Sequence, residues 1–237
     1  MKIIVIIPAH NEEQNIEKVI NEVKRDLKNV DVMIINDAST DNTRYVIEKN
    51  NIKHIDLLYN MGYSLAVQTG IKYAFENNYD YCIQMDADGQ HIASEAKKLL
   101  DKAIECKCDI VIGSRFKEKS DYKHGKMRTL GTKILSGLVK ITCKEIITDP
   151  TSGFQCLNKK AIARFSKIGN YPEFPDANLI IELLLEGFII NEIPIKMRER
   201  EFGESMHGGI IKPIKYMVKV LYSIVIVVLR NLFVRKV

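Results

Sequence analysis

Five short apolar runs separated by longer amphipathic stretches constrain this 237-residue chain more than any other feature. The runs are Ile3–Ile7, Val32–Ile35, Ile52–Leu58, Tyr81–Met85 and Asp109–Gly113. Between the first two, Glu12–Lys28 places Ile16, Val19, Ile20, Val23 and Leu27 at helical spacing. Asn11, with Gln14 three residues on, is expected to cap that helix. Thr43–Lys49, Leu65–Glu76 (Val67, Ile71, Ala74 and Phe75 inward) and a capped Ser94–Cys106 supply the remaining helices of this half. Strands alternating with helices of ten or so residues are βαβ units, so the fold class is α/β with a mostly parallel central sheet flanked by helices and a Rossmann-like first half.

The second half is less regular. A helix is expected over Met127–Cys143, a turn and strand over Thr148–Leu157, a helix over Asp176–Gly187 and a late strand over Phe188–Met197. No repeat or low-complexity linker intervenes, so the chain divides into one main domain, 1–207, and a tail, 208–237. Hydrophobic residues are 46% of the chain and charged ones 27%, enough for a packed core. Ile3–Ile7 is too short, and too soon interrupted by Pro8, for a signal peptide. The five cysteines are scattered, with no partners at zinc spacing, and read as reduced thiols of a cytosolic protein.

Ligands of open α/β sheets bind at the carboxyl ends of the strands. Polar residues gather there. The first run ends in Pro8-Ala9-His10-Asn11-Glu12-Glu13, the second in Asn36-Asp37-Ala38-Ser39-Thr40-Asp41, the fourth in Asp86-Ala87-Asp88-Gly89-Gln90-His91 and the fifth in Gly113-Ser114-Arg115. Asp37 and Asp41 would equally suit helix capping. Asp86, Asp88 and Gln90 carry more chemistry. In extended backbone, residues two apart point the same way. Two carboxylates and an amide oxygen would converge, and like charges that close repel unless a cation lies between them. An all-oxygen set suits Mg²⁺ or Mn²⁺, which completes its shell with water and substrate phosphates. A solvated acidic turn is the competing interpretation.

These motifs, with Asn60-Met61-Gly62, resemble the family 2 glycosyltransferases of GT-A fold in order and spacing. Gly113-Ser114-Arg115-Phe116, Asp149-Pro150-Thr151-Ser152-Gly153-Phe154 and Arg198-Glu199-Arg200-Glu201-Phe202-Gly203-Glu204-Ser205 point to the dolichyl- or polyprenyl-phosphate sugar synthase branch. The resemblance covers about residues 2–206. It implies that Pro8, His10 and Glu12 line a nucleotide pocket and that Asp37 accepts from an imide N–H of the base. It implies that Asp86, Asp88 and Gln90 hold a metal on the donor diphosphate, and that Arg115 and Arg200 face phosphate charge; Asp88, Arg115 and Arg200 would be the catalytic set. Surface ion pairs are the alternative for the two arginines. Two departures stand out: Asn36 replaces the first aspartate of a common pair, and Met206 replaces the lysine that follows Gly-x-Ser in dolichyl-phosphate mannose synthases.

The net charge of +5 is concentrated in the tail, where Lys212–Val237 carries six Lys/Arg and no Asp/Glu. Charge placed on an apolar tail points to a membrane surface and away from nucleic acid. Val220–Leu229 is uncharged but short of the roughly 20 residues a span needs. Lys212, Lys215 and Lys219 fall on one helical stripe, with Pro213 in the first turn. The tail therefore reads as an amphipathic helix lying in the interface, lysines toward headgroups, or else as a helix packed on the domain or on a second subunit.

The expected enzyme is a metal-dependent, inverting hexosyltransferase, peripheral on the inner face of the cell membrane. It would move a sugar from a UDP- or GDP-linked donor to a polyprenyl phosphate. Transfer to a saccharide hydroxyl in cell-surface polysaccharide assembly, and a non-catalytic nucleotide-binding module, are the alternatives. A hydroxyl acceptor would require a general base, for which Asp149 and Asp176 are the candidates.

Overall fold

The computed structural model describes residues 1–118, 125–199, 201–202 and 211–234. Arg200, Met206, Arg235 and Lys236 lie outside the described residues. The strands are β1 (Ile3–Ala9), β2 (Asp31–Asn36), β3 (Lys53–Asp56), β4 (Tyr81–Gln84), β5 (Ile110–Ser114), β6 (Gln155–Asn158) and β7 (Ile190–Pro194). They form one sheet in the order β3-β2-β1-β4-β6-β5-β7. All neighbours are parallel except at β6, which runs antiparallel to both β4 and β5.

β1 is buried on both sides, as a central strand of a parallel sheet must be. Ile4 and Ile6 enter one core with Val67 and Ile71 of α3 (Tyr63–Glu76). Ile3, Val5 and Ile7 enter the other with Ile16, Val19 and Ile20 of α1 (Ile16–Asp26) and Leu99 of α4 (Ala93–Cys106). Ile47 of α2 (Thr43–Lys49) extends the α1 layer. On the α3 side, α5 (Lys126–Cys143), α6 (Lys159–Phe165), α7 (Ala177–Leu185) and α8 (Ile211–Val234) complete the second layer.

Several local expectations are corrected. Asn11 does not cap α1, which begins at Ile16; its backbone is left-handed (φ 55°) and its side-chain oxygen accepts from the Thr40 N–H. Residues 12–15 are thereby spent on a turn beside the β2 loop, where Glu12 and Asp41 are needed. Phe75 is 47% exposed, because α3 buries the Val67–Ile71–Ala74 stripe and Phe75 lies beyond its edge. α4 starts at Ala93, so Ser94 is helical and caps nothing. Cys106 and Cys108 are disulfide-bonded, not reduced: the left-handed Lys107 between them folds the chain back and brings their Cα atoms to 5.2 Å. Cys82, Cys143 and Cys156 remain thiols.

Candidate active site

The topology reverses between β1 and β4, since β2 and β3 continue from β1 in one direction and β4 begins the other. The crevice outside the carboxyl ends of these strands is where such sheets bind ligands. It collects the segments that follow β1, β2 and β4.

Pro8 is buried beside Ile35 and Ala9 ends β1 against Asn36, leaving His10 exposed at the rim. His10 Nδ1 lies 2.7 Å from the Asp37 carbonyl, and its Nε2 lies 3.0 Å from Asn60 Nδ2. Both ring nitrogens are thus within hydrogen-bonding distance of a partner. Asp37 is buried, and its carboxylate accepts from the Met61 and Gly62 N–H groups at 2.7 and 2.8 Å. His10, Asp37 and Asn60–Gly62 are thus one hydrogen-bonded unit at the mouth of the crevice. Gly62 needs no side chain and tolerates φ 85°, which turns the loop into α3. The Glu12 carboxylate accepts from Asn15 Nδ2 at 2.6 Å, and Asp41 accepts from the Glu13 and Thr43 N–H groups. Asp41 therefore does not cap α2, whose N-cap is Asn42, but holds the turn just before it. Burial would raise the Asp41 pKa, but these hydrogen bonds outweigh it and hold the carboxyl below its usual range.

Asn36 has a partner that explains its departure from the common aspartate. Its side-chain amide donates to Asp56 Oδ1 at 2.7 Å. A second carboxylate there would repel Asp56.

The D-x-D turn follows β4. Gly89 (φ 76°) closes it, the Gln90 N–H donates to Asp88 Oδ1 at 3.0 Å, and the Arg198 N–H donates to the Gln90 carbonyl at 3.0 Å. The Gln90 side-chain amide is turned to the Arg198 carbonyl at 3.3 Å, so it ties the turn to the segment after β7. Asp86, Asp88 and Gln90 are all half-buried. Asp86 Oδ1 accepts from the Tyr63 hydroxyl at 2.7 Å, and its Oδ2 lies 3.7 Å from His91 Nε2. His91 is itself buried, stacked on Phe154 with ring centroids 4.4 Å apart. Two carboxylates on one turn at a strand end are a hard-oxygen donor set and fit Mg²⁺ or Mn²⁺. Among the described residues no cluster of three His, Cys, Asp or Glu could by itself hold a metal. Substrate oxygens and water would have to supply the remaining ligands.

Arg115 follows β5. It is buried, and its guanidinium forms a two-pronged ion pair with Asp149, Nε to Oδ2 at 2.6 Å and Nη2 to Oδ1 at 2.8 Å. Nη2 also donates to Thr151 at 2.9 Å. Glu192 of β7 completes this knot by accepting from the Thr148 and Asp149 N–H groups. The pair is internal, with Arg115 6% and Asp149 0% exposed at their side chains. Burial alone would raise the Asp149 pKa, but hydrogen bonds and charge from Arg115 prevail and hold the carboxyl below its usual range. Asp176 is buried at the start of α7 and accepts from the Tyr216 hydroxyl of α8.

A doubly layered sheet with a D-x-D turn at its switch point defines the GT-A type of fold. The same fold occurs in glucosyl-3-phosphoglycerate synthase from Mycobacterium tuberculosis, solved with Mn²⁺ and UDP-glucose (TM-score 0.67, 18% identity, 94% of this chain and 78% of that one). Residues 4–165 match the Glycosyl transferase family 2 profile, and the chain belongs to that family. It is a glycosyltransferase. Over 218 residues it is 26% identical to polyprenol monophosphomannose synthase of Mycolicibacterium smegmatis, covering 87% of this chain and 81% of that one. Over 225 residues it is 28% identical to UDP-N-acetylglucosamine--dolichyl-phosphate N-acetylglucosaminyltransferase of Methanococcus voltae, covering 84% and 87%. Both relatives support the resemblance to the polyprenyl-phosphate sugar synthase branch.

Proposed function

We propose that this enzyme transfers a sugar from a nucleoside diphosphate donor to a polyprenyl phosphate at a membrane surface. The observation that carries the acceptor class is the engagement of both candidate bases. Asp149 is fully buried against Arg115, and Asp176 is held by Tyr216. An acceptor hydroxyl would need its proton removed, whereas a phosphomonoester, with a second pKa of about 6, arrives largely ionised. Its oxygen would attack the anomeric carbon as the bond to the diphosphate breaks on the opposite face, inverting the configuration and releasing the nucleoside diphosphate. The relatives' names agree in acceptor class and differ in sugar, so the sugar is left open.

Asp86 and Asp88 would hold Mg²⁺ or Mn²⁺, which when bound offsets the negative charge of the departing diphosphate. His10, Asp37 and Glu12 would border the nucleoside, with Asp37 also fixing the Asn60–Gly62 loop.

The tail supports the surface location. α8 packs Val220, Ile224 and Val227 into the core against α7. Lys219 pairs with Glu173 at 3.3 Å and Arg230 pairs with Glu182, fixing the helix along its length. Lys215–Phe233 is long and apolar enough to cross a membrane by length and composition, with mean hydropathy 1.7. A helix held lengthwise against a catalytic domain lies along the bilayer instead of piercing it. Its outward face shows Val218, Tyr222, Val225, Leu229 and Leu232, and Lys215, Lys219 and Arg230 line one flank. That is the pattern of an interfacial helix. Of the two expectations for the tail, packing on the domain describes the inner face and lipid contact is proposed for the outer one.

The test offers the enzyme UDP- and GDP-linked sugars with Mn²⁺ and three acceptors: a polyprenyl phosphate, the matching polyprenol and a saccharide. Transfer to the phosphate alone is expected, and Asp88→Ala should abolish both transfer and Mn²⁺-enhanced nucleotide binding while leaving thermal unfolding unchanged. Transfer to the saccharide with none to the phosphate would sink the acceptor assignment.

A further inference from the structure

Behind the D-x-D turn runs a line of polar groups with no part in the site as read from sequence. The Tyr63 hydroxyl, at the first turn of α3, donates to Asp86 Oδ1 at 2.7 Å and accepts from Gln84 Nε2 at 2.8 Å. Gln84 is buried at the end of β4, and its Oε1 is 3.4 Å from the Tyr171 hydroxyl, in the loop between α6 and α7. Tyr171 is in turn packed edge-on against Phe165. The Tyr63 hydroxyl cannot turn elsewhere without stranding a buried amide, which costs more than the hydrogen bond itself contributes. Gln84 fixes its direction as well, because an amide N–H occupies the oxygen's acceptor side and leaves its proton for Asp86.

Space for this arrangement comes from Gly153. A Cβ at Gly153 would sit 2.6 Å from the Tyr63 hydroxyl and 3.4 Å from Gln84 Nε2. Its backbone does not need a glycine for a positive φ. The hydroxyl is what excludes a side chain there.

We infer that Tyr63 is a positioning residue that aims the Asp86 carboxylate into the site, and that Gly153 is a glycine so that the Tyr63 hydroxyl can reach it. The inference rests on Asp86 serving the metal–diphosphate site, as proposed above. With one oxygen held by Tyr63 and the ring of His91 behind the other, the carboxylate has little rotational freedom left. Holding a ligand's orientation in this way typically changes metal affinity by about 10–100-fold.

The test measures Mn²⁺ binding in the presence of UDP or GDP, by electron paramagnetic resonance of the unbound ion, on the full chain. Tyr63→Phe is expected to weaken Mn²⁺ about tenfold. Gly153→Ala should do the same, because the added methyl displaces the hydroxyl. Adding Gly153→Ala to Tyr63→Phe should cause no further loss, since nothing is left to collide with, and this non-additivity is the signature of a shared path. Melting temperatures are recorded in parallel; a purely structural role would lower them without the non-additive metal effect. Unchanged Mn²⁺ affinity in Tyr63→Phe, alongside loss in Asp86→Ala, overturns the inference and spares the site. Unchanged affinity in Asp86→Ala as well, or no Mn²⁺-enhanced binding in the parent, overturns both.

Discussion

The two halves of the sheet's carboxyl edge treat polar residues in opposite ways. On the β1–β2–β4 side, the side chains at the strand ends are bonded mainly to backbone N–H groups and to each other, and His10, Glu12, Asp86 and Asp88 keep surface open to the crevice. On the β5–β6–β7 side, Arg115, Asp149, Thr151 and Glu192 close on one another and are largely withdrawn from solvent. That side also exposes apolar side chains, Leu130, Ile134 and Ile141 on α5 and the outer face of α8, interspersed with lysines such as Lys133 and Lys140. The two helices are neighbours, since a Cβ at Gly131 would meet the Met217 methyl at 2.9 Å. A highly charged ligand needs an edge with polar capacity to spare, and a lipid acceptor needs an edge that is rigid inside and apolar outside.

The largest expected effect lies on the closed side. Arg115→Met leaves Asp149 ionised and buried without its partner, at a cost of about 3–5 kcal/mol. Urea unfolding measures it, and a loss below about 1 kcal/mol, the range of exposed pairs, would show that this edge is not built on the pair. Acid should act through the same group. The Asp149 pKa is lowered in the folded state. Its contribution to stability is therefore complete above the ordinary carboxylate range and is lost as pH falls below about 4 toward the folded value. In Arg115→Met that part of the acid dependence should diminish.

The open side should respond in binding more than in stability. Asp37→Ala strands the Met61 and Gly62 N–H groups, worth about 1–3 kcal/mol, and should weaken UDP or GDP while leaving pyrophosphate unaffected. Calorimetric titration with each ligand decides this; equal weakening of pyrophosphate would move Asp37 to the phosphate side of the crevice.

The smallest effects concern α8. Vesicles containing anionic lipid should sediment with the full chain, each cation near the surface contributing about 1 kcal/mol. Raising the salt should weaken this attachment without abolishing it, since screening leaves apolar insertion intact. Val225→Asp with Leu229→Asp, both outward-facing, should abolish attachment and leave unfolding unchanged. If the doubly substituted chain still binds vesicles at low salt, the outer face of α8 is not the contact.

Much of the architecture follows from local pattern alone. Apolar runs and helical stripes gave the βα alternation, because burial on two faces or one is written in residue spacing. Polar strand ends located the crevice for the same reason, since strand and helix period fix where each run must stop. The D-x-D-G-Q turn was legible too, being a single stretch of backbone. Where polar side chains find partners across the fold was not. Tyr63 reaches Asp86 across 23 residues, Asn36 meets Asp56 across 20, and Arg115 meets Asp149 across 34. Arg115 looks the same in sequence whether it faces a phosphate or a buried carboxylate. Only the antiparallel insertion of β6 beside β5 brings the segment that carries Asp149 within its reach. The same holds for α8: its spacing marks an amphipathic helix, but the packing of Val220, Ile224 and Val227 on α7 determines which apolar face is left outside. Periodicity is a property of neighbours along the chain, whereas the destination of a charge or a hydroxyl depends on which distant strand the sheet places beside it.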